Sequence, residues 1–84
     1  MNDRKLMQIN KDWRLATDDK LQWILQRRQG NKNWVGRKFH MERDSLISQI
    51  EEQFSPADAA PIIKVVANWP KYFRPNFETK ITTA

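Results

Sequence analysis

The spacing of the large apolar side chains changes once along this chain, and that change limits the folds open to it. W-R-L-A-T (Trp13–Thr17) alternates large apolar residues with polar or small ones, the period of a half-buried strand. L-Q-W-I-L-Q-R-R then sets Leu21, Trp23 and Leu25 on one face and Gln22, Gln26 and Arg28 on the other. W-V-G-R-K-F-H reads as a third, returning strand, in which Gly36 marks a bulge or a close backbone approach. After Met41 the period becomes helical: Leu46, Ile47, Ile50 and Phe54 fall on one stripe, with Asp44 placed to complement the helix dipole.

Turn chemistry separates these elements. Asp18-Asp19-Lys20 is a polar break, and Gln29-Gly30-Asn31-Lys32-Asn33 collects residues that tolerate positive φ, as a hairpin connection requires. Ser55-Pro56-Ala57-Asp58 signals a second helix start. Capping by Ser55 would leave Pro61 in the helix interior at the expense of a hydrogen bond, so the expected cap is Asp58, with a helix over 59–68. That helix is apolar almost all round and is expected to be buried or to form an interface.

The expected fold is therefore α+β. A three-stranded antiparallel sheet is packed by one amphipathic helix and followed by a second apolar helix and an extended C-terminal tail (βββαα). Residues 1–11 are polar and aperiodic and read as a flexible N-terminal arm or a short edge strand. Residues 12–70 form the single α+β domain, and 71–84 an aromatic and basic tail. At 84 residues there is room for one core only. Four tryptophans, four phenylalanines and a tyrosine supply it, each able to bury on the order of 150–250 Å².

Composition narrows the function. With no cysteine and a single histidine, His40, neither disulfide staples nor thiolate or paired-histidine metal sites are available, and no cofactor is expected. No apolar leader and no run approaching a membrane span is visible, which points to the cytoplasm. Asp18-Asp19 and Glu51-Glu52 are adjacent carboxylates whose side chains diverge on a strand or helix, so neither doublet is an acid–base pair. Glu78-Thr79-Lys80 matches the end of a restriction-type nuclease motif over three residues only, and there is no glycine-rich phosphate loop. A non-catalytic role is expected.

The net charge of +5 is unevenly spread. Lys20, Arg27, Arg28, Lys32, Arg37, Lys38 and Arg43 face only Glu42 between residues 20 and 43, whereas 44–58 holds four acids and no base. The bases flank the expected hairpin turn, where strands about 4.8 Å apart can gather them into one patch. Arg27, Arg28, Lys32, Trp34, Arg37 and Lys38 are the candidate nucleic-acid contacts: arginine for guanine or phosphate, lysine for phosphate, and an aromatic for unpaired bases. The bland alternative is a lysine-protected, solvated edge with Trp23 and Trp34 in the core.

The order of a strand carrying R-R, a polar hairpin, an aromatic-led strand and an amphipathic helix resembles the three-strand-plus-helix modules of AP2-type and tyrosine-integrase arm-binding domains. The resemblance covers roughly residues 12–54 and implies a sheet laid on DNA; no diagnostic motif matches residue by residue, so it assigns no functional residues. The texture W-x-L, Q-W-I-L-Q-R-R and W-x-x-x-x-F is also similar to small phage and prophage accessory proteins. Many of those bind and inhibit a host protein, anti-CRISPR proteins among them. Two readings follow. One is a basic hairpin contacting DNA, RNA or a nucleoprotein complex; the other is an inhibitor or adaptor docking on a host protein through Ile62, Val66, Trp69, Tyr72 and Phe73. The same segment, 59–73, could instead form a homodimer.

Overall fold

A computed structural model describes residues 3–18 and 21–74. Four strands, β1 (Arg4–Gln8), β2 (Trp13–Thr17), β3 (Trp23–Gln29) and β4 (Asn33–His40), form one antiparallel sheet in sequence order. Two helices follow, α1 (Arg43–Gln53) and α2 (Pro56–Val66). The architecture is α+β, with a sheet one strand larger than the three expected.

The additional strand is β1, in the segment expected to be an arm. Its period-two signal is broken by a bulge: Lys5 pairs with Ala16 and Met7 with Leu15, leaving Leu6 as the inserted residue. Leu6 and Met7 consequently both pack on the core although they are neighbours in sequence. Asn10 makes the turn into β2. Its Oδ1 accepts from the backbone N–H of Asp12 (2.9 Å) and Trp13 (3.0 Å), and its Nδ2 donates to Asp58 Oδ2 at 3.2 Å. The arm is thereby tied to the start of α2.

The hairpin between β3 and β4 closes with Gln29 opposite Asn33, and Gly30 takes φ +73° at the first loop position. Gly36 does mark a bulge: Gln26 pairs with Gly36 and Leu25 with Lys38, so Arg37 is inserted. A Cβ at Gly36 would lie 2.9 Å from Phe39 Cζ and 3.1 Å from Ile24 Cγ2, so the backbone approach is close as well.

One sheet face is covered by the helices. Leu15, Trp23 and Leu25 from the sheet meet Leu46 and Ile50 of α1, Ile62 and Val66 of α2, and Phe54 and Trp69 beyond the helix ends. Trp23 is the centre, with ring contacts to Trp69 at 5.4 Å and, edge-on, to Phe73 at 5.3 Å. Leu21, expected to share the face of Trp23, precedes β3 and is 61% exposed.

The second helix begins earlier than expected. Ser55 is its cap, accepting from the Asp58 N–H at 3.3 Å, and Pro61 lies inside it. Ala57 and Pro61 are both exposed, so water can serve the Ala57 carbonyl that Pro61 leaves without its helical partner. After Pro70 the chain turns back along α1: Arg43 N–H donates to Lys71 O (2.7 Å), Phe73 N–H to Met41 O (2.7 Å), and Glu42 bridges Tyr72. The Arg43 guanidinium also donates to Trp69 O at 3.1 Å. The start of the expected tail is therefore paired; residues 75–84, including Glu78-Thr79-Lys80, lie outside the described residues.

Candidate functional site

Strand register assigns each basic residue to a face. Arg27 and Lys38 pair with Val35 and Leu25, on the helix side of the sheet. Arg28 and Trp34 pair with each other on the opposite, open side, while Arg37 is the exposed, unpaired bulge residue between Gly36 and Lys38. Lys32 sits in the turn. The single patch expected of the hairpin is thus divided between two faces, and Arg28 is further engaged by Asp12 at 3.3 Å.

The open face gains a residue that the hairpin pattern did not reveal. Arg14 of β2 pairs with Gln26, which pairs with Gly36, so the three form a row across β2, β3 and β4. Gln26 is only 2% exposed although no described helix lies over it. Both ends of its amide are used: Oε1 accepts from Arg14 Nε at 2.6 Å, and Nε2 donates to Asp3 Oδ2 at 2.9 Å. An arginine only donates and a carboxylate only accepts, so these partners fix which way the amide points.

The Arg14 guanidinium also lies over Trp34, with Cζ 4.5 Å from the ring centroid. Partial burial lowers its pKa from the ordinary arginine value, while the charge of Asp3 acts the other way. Arginine remains charged under such a shift. Its Nε is bonded and its plane is stacked, while the two terminal nitrogens make no hydrogen bond among the described residues. They border a groove of about 900 Å³ whose lining includes Asp3, Gln26, Lys32 and Trp34. A held guanidinium with its fork unspent suits a planar or tetrahedral oxyanion. Trp34 is therefore neither fully core nor a free stacking surface: it is half-buried, with one face given to Arg14.

The apolar contact set expected at the C-terminal side is mostly interior. Ile62, Val66 and Trp69 are buried, because α2 lies with that stripe against the sheet and α1. Phe73 is half-buried against Trp23. Only Tyr72, 54% exposed with Lys71 Nζ 5.6 Å from its ring centroid, is left as a surface contact of that set. Within 59–73 the apolar surface that α2 leaves outward is Ala60 with half-buried Ile63, beside Phe54 and Pro56.

His40 Nδ1 is 2.9 Å from Ser45 Oγ, which joins the end of β4 to the first turn of α1. A serine nucleophile needs its histidine oriented by a third group, yet Nε2 is buried with no hydrogen-bond partner among the described residues. No group of three potential metal ligands occurs among them, and none of their helices is long and apolar enough to cross a membrane.

The chain matches no family model, no curated protein and no solved structure. The reading of its function rests on this geometry.

Proposed function

We propose that this chain is a non-catalytic binding protein that holds nucleic acid on the open face of its sheet, with Arg14 at the centre of the contact. The observation that carries the proposal is the Arg14 guanidinium, fixed by Gln26 and Trp34 with its terminal nitrogens unspent. On the same face lie Lys32 in the turn beside the groove, Arg28, paired with Trp34, and Lys5, paired with Ala16. Phosphates are the ligands that such a set of cations selects, and their neutralisation releases counterions. Arg27 and Lys38, on the other face, contribute to the general positive field (the chain carries +5 overall) more than to the contact. Such a role fits a cytoplasmic protein, and the phage-type character suggested by the sequence texture is compatible with it.

The test is fluorescence anisotropy with labelled oligonucleotides across a salt series. Wild-type affinity is expected to fall steeply with salt, and Arg14→Ala to weaken binding about tenfold or more while the protein stays folded. Wild-type affinity that ignores salt, or an Arg14→Ala protein that binds normally, would refute the proposal. The docking of a host protein is the second reading, favoured by the exposure of Tyr72 and Met41, which are 54% and 61% accessible.

A further inference from the structure

Phe39 is a large aromatic side chain on the open face that the assignment of phosphate contacts leaves without a role. It pairs with Ile24 across the strands, and its ring lies over Gly36: a Cβ built there would be 2.9 Å from Cζ and 3.0 Å from Cε1. One side of the ring is therefore laid against the sheet, at a position that only a glycine beneath it permits. Even so, Phe39 remains 53% exposed. Covering a glycine with an aromatic is a known structural device in sheets. That role uses the inner side of the ring and leaves the outer side facing solvent.

We infer that this face takes single-stranded nucleic acid, with a base stacked on Phe39 and the backbone held at Arg14; the inference rests on the nucleic-acid reading above. Three observations select a single strand over a duplex. An exposed ring offers a stacking surface to an unpaired base, whereas a duplex has its base faces already occupied. The Arg14 guanidinium reaches across β3 to Trp34, on the same strand as Phe39, so cation and ring share the open face of β4 within reach of one strand's phosphate and base. Finally, four strands at about 4.8 Å span about 14 Å between outer axes, more than the ~12 Å width of a B-DNA major groove. The hairpin also stands only slightly clear of β2, because Trp13 already pairs with Arg27, near its tip.

The experiment compares three labelled probes of equal length at one salt concentration: a single-stranded oligothymidylate, its duplex with oligoadenylate, and an abasic strand of the same phosphate count. Wild-type protein is expected to bind the oligothymidylate about tenfold more tightly than either of the other two. Phe39→Leu should lose that preference while keeping the affinity for the abasic strand, and Phe39→Trp should restore it. Because Phe39 also covers Gly36, the circular dichroism and melting of both variants are recorded, and the wild-type comparison of probes stands even if Phe39→Leu does not fold. Equal binding of all three probes by wild-type protein would overturn stacking at Phe39 while leaving phosphate recognition at Arg14 in place. Binding of none of them would overturn both.

Discussion

The Arg14 guanidinium lies over the Trp34 ring across the width of β3, its carbon 4.5 Å from the ring centroid, although twenty residues separate the two in sequence. The pair joins the second strand to the last one on the side of the sheet that the helices leave open. It makes a cation that is rigid before any ligand arrives, which lowers the ordering cost of binding.

Rigidity predicts that charge alone will not substitute. Arg14→Lys keeps the positive charge but can neither fork around an oxyanion nor lie flat on Trp34. Oligonucleotide affinity is expected to fall several-fold, with the salt slope nearly unchanged because the charge count is the same. Anisotropy titrations at three salt concentrations separate the two quantities.

Gly36→Ala tests the close approach beneath Phe39. The new methyl meets the Phe39 ring at 2.9 Å and the buried Ile24 at 3.1 Å. The half-exposed Phe39 ring can swing aside, so the cost comes from the tightened contact with Ile24 and lies at or below the low end of the roughly 1–3 kcal/mol of core overpacking. Urea denaturation should show that loss, and the aromatic resonances of Phe39 should shift as the ring is lifted.

Pro61→Ala is expected to stabilise the protein. It returns a backbone N–H to the interior of α2, where the Ala57 carbonyl lacks its helical donor. Proline costs a helix about 3 kcal/mol in full, and the loss of its restraint on the unfolded chain takes back about 0.4–1 kcal/mol. A net gain of up to about 2–2.6 kcal/mol should appear in the urea midpoint, and a lower midpoint would show that α2 has adapted to its proline.

His40 should make stability depend on pH in the mildly acidic range. Burial first, and the neighbouring Lys38 second, lower its pKa below the ordinary histidine value. The unfolded chain then takes up the proton more readily than the folded one. The stability is therefore fully present above about pH 6.5 and is lost as pH falls toward the folded-state value. Urea midpoints of wild type and His40→Gln, compared from about pH 8 to about pH 5, should diverge in that sense.

The strands β2, β3 and β4, α1 and both glycine roles are legible in the sequence because each rests on a local pattern. Trp23 and Leu25 keep one face at period two although Ile24 interrupts the alternation, and Leu46 and Ile50 keep helical spacing. β1 was hidden because the bulge at Leu6 places two neighbours on the core and erases the alternation. The cap of α2 falls at Ser55 and not at the expected Asp58 for a different reason. An interior proline is expensive in isolation, but at Pro61 the affected carbonyl faces solvent and Ser55 supplies the cap bond.

The candidate site was only half legible. Arg27, Arg28, Lys32, Trp34, Arg37 and Lys38 stand out as a basic, aromatic run, but strand alternation sends Arg27 to the other face from Arg28, and the bulge at Arg37 turns Lys38 to the helix side. Arg14 lies in a neutral stretch of the chain, and only the pairing of β2 with β3 brings it to Gln26. Ile62, Val66 and Trp69 suggested a surface because their helix is apolar on several sides, and tertiary packing consumed it.

The cover over Trp23 has a consequence for how the molecule is made. Its ring partners, Trp69 and Phe73, come from the far side of both helices, and the bonds from Arg43 to Trp69 and Lys71 hold that segment in place. During synthesis the sheet and α1 can leave the ribosome while the largest side chain of the core still lacks its lid. The domain is thus committed to folding late and as one unit, since its interior is sealed only when Phe73 has emerged.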